Sequence, residues 1–137
     1  MEWQRDGYRI VDGSRAVNVE SVIRLLGATH WAERRPPRVV EKLIEHSLCF
    51  SLIYGQEQAG FARVATDYTV FSWLSDLVVA HAHRGKGLGE WLLTCVLEHP
   101  AIAHTQFLLQ TSDAHGLYER HGFHGSAKLM TRLPSVK

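Results

Sequence analysis

The run from Phe71 to Glu98 constrains the fold more than any other part of the chain. Phe71 to Val79 is an apolar stretch with one charge, Asp76, and reads as a buried strand. His83-Arg84-Gly85-Lys86-Gly87-Leu88-Gly89 follows it. Beyond that loop Leu88, Trp91, Leu92, Cys95 and Val96 share one helical face, and Pro100 ends the helix. A strand, a glycine-rich loop and a helix in that order can grip an anion. The glycines let backbone N–H groups approach it closely. The helix start adds about half a positive charge, and Arg84 and Lys86 add full charges and hydrogen bonds. The combination predicts a pyrophosphate cradle built mainly from backbone. It is neither G-x-G-x-x-G nor the P-loop form, because Gly89 is followed by Glu90 and Trp91.

The rest of the pattern surrounds this segment with mixed elements. Tyr8 and Ile10 predict a short first strand. Asn18 is a good helix cap, followed by Val19, Val22, Ile23 and Leu26 on one face. Pro36 and Pro37 open a second helix with Val40, Leu43 and Ile44 on its face. Leu48 to Tyr54 and Ala59 to Ala65 read as strands joined by a polar turn. Phe107 to Thr111 reads as another strand. Asp113 is placed to cap a short helix that ends at Gly122, a left-handed C-terminal cap. Phe123 onward and Leu129 to Leu133 are expected to be the last strands. The order β-α-α-β-β-β-α-β-α-β-β predicts an α/β sheet with helices on both faces.

Size and composition narrow the class. With 137 residues the expected organisation is a single domain over 1–137. A chain of this size buries roughly 68–70% of its unfolded surface, so one core suffices without staples. The apolar fraction of 45% and charged fraction of 21% are ordinary for a soluble globular protein. A net charge of +1 gives no argument for nucleic-acid or membrane binding. The N-terminal MEWQRDGYRI has no apolar stretch of signal-peptide length and no run approaches ~18–20 apolar residues, so a cytoplasmic location is expected. Cys49 and Cys95 lie in apolar runs outside any C-x-x-C pair and read as free buried thiols. None of the nine histidines forms H-E-x-x-H, so no metal is expected.

Two motifs carry a family resemblance. Leu77-x-Val79-x-His81-x-x-Arg84-Gly85-Lys86-Gly87-Leu88-Gly89 resembles motif A of the GNAT acetyltransferase superfamily. Ala114-His115-Gly116-Leu117-Tyr118-Glu119-Arg120-His121-Gly122-Phe123 resembles motif B, with common form A-x-x-L-Y-x-x-x-G-F. The close match runs from Trp73 to Phe123. It departs from the family at His81, where Pro is frequent, and at Thr111, where many members carry Asn. The resemblance implies the GNAT fold: a mixed, mostly antiparallel sheet with one parallel, splayed strand pair and helices on both faces. It further implies acetyl-CoA as cosubstrate between those strands. Backbone near Leu77 and Val79 would meet the pantetheine arm, Arg84, Gly85, Lys86, Gly87, Leu88 and Gly89 the pyrophosphate, and Thr111 the Asn position.

The resemblance also implies direct attack by an amine, with Tyr118 protonating the leaving thiolate. A phenol near its reference pKa of about 10 keeps its proton at neutral pH. Relatives often carry a base where Trp73 stands. Asp76 is then the best remaining acid, on the face opposite Trp73, Ser75 and Leu77 if the strand alternates strictly. Its alternative is pairing with Arg63. His81 and His83 are weaker candidates. Trp31, Arg34, Arg35, Arg63 and Asp67 are candidates for the acceptor pocket, with core, surface and turn roles as alternatives. A non-catalytic acyl-CoA sensor and a protein-lysine or N-terminal acetyltransferase remain open, as do the acceptor's identity and a homodimer.

Overall fold

The computed structural model describes residues 1–135. Its centre is a six-stranded sheet in the order β1 (Glu2–Arg5), β2 (Tyr8–Asp12), β3 (Leu48–Tyr54), β4 (Glu57–Thr66), β5 (Phe71–Val79) and β6 (Gln106–Leu108). All neighbours are antiparallel except β5 and β6, which run parallel. Two helices, α1 (Val19–Gly27) and α2 (Pro37–Glu45), cover one face. On the other face lies α3 (Leu88–Glu98), and α4 (His115–Glu119) follows β6. The expected mixed sheet with helices on both faces is present.

Local sequence accounts for most of these elements. Asn18 Oδ1 accepts the Ser21 N–H at 3.0 Å and starts α1 as a side-chain cap. Val22 and Leu26 of α1 meet Val40 and Ile44 of α2 and Phe61 and Val78 of the sheet in one core. Burying an aliphatic side chain of this kind stabilises the packing by roughly 1.5–3 kcal/mol. Pro36 and Pro37 open α2, where a missing N–H costs nothing. The second core joins Ile10, Phe50, Leu52, Val64 and Leu74 to Leu88, Leu92, Leu93 and Val96 of α3.

The first strand is half of a hairpin. Asp6 and Gly7, with φ of +50° and +83°, turn β1 into β2, the two-residue form that Asp-Gly favours. Strand β6 stops at Leu108, short of the expected Thr111. Helix α4 has Ala114 at its N-cap and no side-chain cap; Asp113 instead pairs with His30 at 3.0 Å. Gly122 does adopt a positive φ of +89°. The expected strands at Phe123 onward and Leu129 to Leu133 do not form. Leu129, Met130 and Leu133 are exposed, so they gain too little burial to offset the entropy of ordering a strand.

One irregularity matters for the site. Across β4 and β5, Phe61 pairs with Val78 but Arg63 pairs with Ser75, so Asp76 and Leu77 together oppose Ala62. Asp76 takes a φ of +57° at this bulge. Strict alternation would put Leu74 and Val78 on one face. Instead Leu74 joins the α3 core and Val78 the α1–α2 core. The bulge thereby turns Leu77 toward the α3 side and corrects the expectation that Trp73 and Leu77 share a face.

Candidate active site

The glycine loop ends in an uncapped helix start. Gly87 is the N-cap of α3, in the left-handed region at φ +73°, and no side chain caps the helix. Its first-turn N–H groups therefore keep the unsatisfied donors of a helix end. Gly85 is also left-handed, at φ +82°, and a Cβ there would meet only open space. A Cβ on Gly87 would lie 3.5 Å from an Arg5 guanidinium nitrogen. Arg5 in turn stands over the Trp91 ring at 5.5 Å. Leu88 is core, so only its backbone faces outward chemistry. Arg84 is exposed and its Nε donates to the Val79 carbonyl at 3.0 Å. Gly89 packs ordinarily, 3.9 Å from Val79.

A chain of hydrogen bonds holds Lys86 beside this loop. Lys86 Nζ donates to the Tyr8 hydroxyl at 3.2 Å, and that hydroxyl lies 2.7 Å from His83 Nδ1. His83 Nε2 stands 3.0 Å from Glu57 Oε2. Lysine has donors only, so Tyr8 accepts from Lys86. In the tautomer where Nδ1 accepts the Tyr8 hydrogen, Nε2 carries the one given to Glu57. His83 is buried and belongs to this support, whereas His81 is exposed. Tyr8 and Glu57 were not legible as partners, because no local pattern links residues 75 positions apart.

Asp76 anchors a second cluster at the bulge. Its side chain is fully buried. Oδ2 accepts from Arg63 Nε at 2.6 Å and Arg35 Nη1 at 2.7 Å, and Oδ1 accepts from Trp31 Nε1 at 3.1 Å. Burial alone would raise its pKa, but the hydrogen bonds and charges of Arg35 and Arg63 outweigh that and hold it below the ordinary 3.8. A carboxylate so engaged is a poor proton acceptor and a good anchor. It ties the α1–α2 loop, through Trp31 and Arg35, to the sheet.

That loop borders an open cleft of about 1290 Å³. Trp31, Arg35, Asp76, Trp73, Thr111 and Tyr118 all line it, as do Phe123, Lys128 and Leu129. Strand β6 pairs with β5 only as far as Trp73–Leu108, so the edge of β5 beyond Trp73 opens toward this space. Tyr118 is partly buried against the α3 core and stacks edge to face on Phe123 at 5.6 Å. Burial, and then the Asp113 charge, push its phenol above the ordinary 10.0. Thr111 Oγ1 accepts the Ala114 N–H at 3.0 Å and shapes the approach to α4.

Trp31 and Arg63 thus meet at Asp76, with Arg63 held below the cleft wall. Asp67 does not join them. It sits in the β4–β5 turn, where its carboxylate accepts the N–H groups of Thr69, Val70 and Phe71 at 2.9, 2.8 and 3.1 Å. Arg34 is exposed and lies outside the cleft. Among the described residues no group of three or more His, Cys, Asp or Glu could hold a metal ion.

Fold and site together define an acyltransferase-like architecture: a splayed parallel strand pair, a glycine loop at an uncapped helix start, and a tyrosine on the facing helix. The family model described as an acetyltransferase (GNAT) domain matches residues 45–125. The chain belongs to the GNAT acetyltransferase family. A GNAT-family candidate acetyltransferase of Xanthomonas campestris is 35% identical, with 96% of each chain covered and a TM-score of 0.89. A GNAT-family protein of Streptococcus pneumoniae shares the fold at 21% identity, 95% and 98% coverage and a TM-score of 0.72. A candidate acetyltransferase of Gibberella zeae is 25% identical over 70% of this chain, which spans 66% of that relative's length.

Proposed function

We propose that this chain transfers an acetyl group from acetyl-CoA to an amine, with Tyr118 as the general acid. One observation carries the reading. The glycine-opened, uncapped start of α3 follows directly from β5, whose free edge leads to the cleft where Tyr118 lies.

The loop fits the donor's pyrophosphate. Backbone N–H groups of the first turn of α3 would hold it, with Lys86 fixed nearby through Tyr8 and His83. The Val79 carbonyl is taken by Arg84, so a pantetheine arm would rely on Leu77 or displace Arg84. When bound, acetyl-CoA supplies an activated thioester. Attack by the amine forms an N–C bond and breaks the C–S bond; one proton must leave the amine and one must reach the thiolate. Tyr118 Oη keeps its proton at neutral pH and is the donor for the thiolate. Asp76 positions Trp31 and Arg35, and water takes the amine's proton. The rate gain would come chiefly from positioning.

The test is release of free CoA thiol from acetyl-CoA over a panel of primary amines, with the acetylated product identified by mass. Amine-dependent release with matching product is expected. Saturable acetyl-CoA binding with no release for any amine would favour a sensor.

A further inference from the structure

We propose that Arg35 makes the cleft selective for amines that also carry a carboxylate. The proposal rests on the amine-acetylation reading above and names its acceptor class. Its starting point is a charge count at the bulge. Asp76 offers one negative charge, and two guanidiniums share its Oδ2. Trp31, on Oδ1, brings no charge. The cluster therefore keeps one uncompensated positive charge next to the cleft.

The two arginines are not equivalent. Arg63 is spent inside the protein. Its Nε goes to Asp76, Nη1 to Ser47 Oγ at 3.4 Å and Nη2 to Ser75 Oγ at 3.4 Å. Arg35 uses only Nη1 among the described residues, leaving Nη2 and Nε without a protein partner. It lines the cleft and is 27% exposed, against 18% for Arg63. A guanidinium fixed by one bond and free along another edge presents the fork that carboxylates occupy. Two other acids line the cleft, and neither bonds Arg35 among the described residues: Asp113 pairs with His30 at 3.0 Å, and Glu119 lies on α4. Trp31 and Trp73 add apolar wall beside the charge. An amine bearing a carboxylate, as an amino acid does, matches this wall better than a simple alkyl amine.

The experiment uses matched pairs, amino acids against their decarboxylated amines, together with the des-amino carboxylates as binding probes. Two quantities are read: kcat/KM for thiol release, and quenching of the protein's tryptophan fluorescence during titration. The carboxylate partner of each pair is expected to lead by about tenfold or more in kcat/KM, the scale of one charged hydrogen bond. Des-amino carboxylates should quench saturably, and Arg35→Gln should weaken that binding by a similar factor while acetyl-CoA affinity holds. Arg35→Lys keeps the charge without the fork and should fall between, which covers the case where Arg35→Gln does not fold. Equal kcat/KM within pairs, or selectivity retained in both variants, would overturn the proposal. If no amine is acetylated, the acetylation reading fails and the titration decides this one. Saturable carboxylate binding lost in the Arg35 variants then supports an anion site, and no binding overturns it.

Discussion

Tyr118 and Asp76 show how burial alone does not decide what a titratable side chain does. Asp76 is buried and Tyr118 partly so. Tyr118 has a carboxylate nearby, which adds to burial and keeps its proton on. Asp76 has two guanidiniums, which overcome burial and keep its proton off. Tyr118→Phe retains the ring against Phe123 and removes only the proton donor. Turnover should fall by about tenfold or more with acetyl-CoA affinity unchanged, the low end of general acid catalysis. An unchanged rate, where chemistry limits turnover, would remove Tyr118 as the acid. Asp76→Ala should cost about 3–5 kcal/mol in denaturant unfolding, because it strands two partly buried arginines. The pH effect follows from the sign of the shift. The folded-state pKa lies below the ordinary 3.8, so Asp76 stabilises the fold above that value and loses the contribution as pH falls through the lowered one. Stability of Asp76→Asn, whose side chain tolerates the left-handed backbone, should depend less on pH below 3.8 than that of the parent. Identical acid profiles would contradict this.

At the scale of elements, the loop between β5 and α3 carries the most specific expectation. Gly87→Val places a β-branched residue at φ +73° and fills the mouth of the helix start beside Arg5. Binding of acetyl-CoA should be abolished in calorimetry while circular dichroism still reports a folded sheet. Parent-like binding would move the phosphate site elsewhere. Elements with a strong local signal were legible from sequence: β3 and β5 from apolar runs, α1 and α2 from their caps, α3 from the glycine loop. Three kinds of feature were not. The Asp6-Gly7 hairpin has a turn dipeptide but a first strand, β1, of only four mostly exposed residues, too short and polar to show a strand pattern. The Asp76 bulge leaves no periodic signature, since it breaks the alternation by which strands are read. The Leu129 to Leu133 run looks like a strand locally, but pairing depends on a neighbouring edge that sequence does not reveal. The site divided along the same line. Its backbone part, from Arg84 to Gly89, is contiguous and was readable. Its side-chain supports bring together residues 26 to 78 positions apart, as in Glu57–His83 and Tyr8–Lys86.

For the molecule as a whole, the sheet divides labour between its faces. The α3 face holds the glycine loop and its Tyr8–His83–Glu57 support, while the α1–α2 face holds Asp76 and the loop it anchors. The bulge at Asp76 links the two, because it redirects β5 where its edge is free of β6. Both cysteines are buried in these cores, and burial pushes each thiol up to about 11. Neither should react with a disulfide reagent at pH 7.5 until the protein unfolds; rapid labelling of the native chain would contradict the packing described. That inertness also keeps a thiol-release assay free of protein signal. The central claim is that the start of α3 receives the phosphates of acetyl-CoA, and calorimetric titration of acetyl-CoA into the chain, with a chelator present, tests it most directly. A single saturable site at micromolar or tighter affinity is the predicted result, and no heat at ligand concentrations on the order of a millimolar would contradict it.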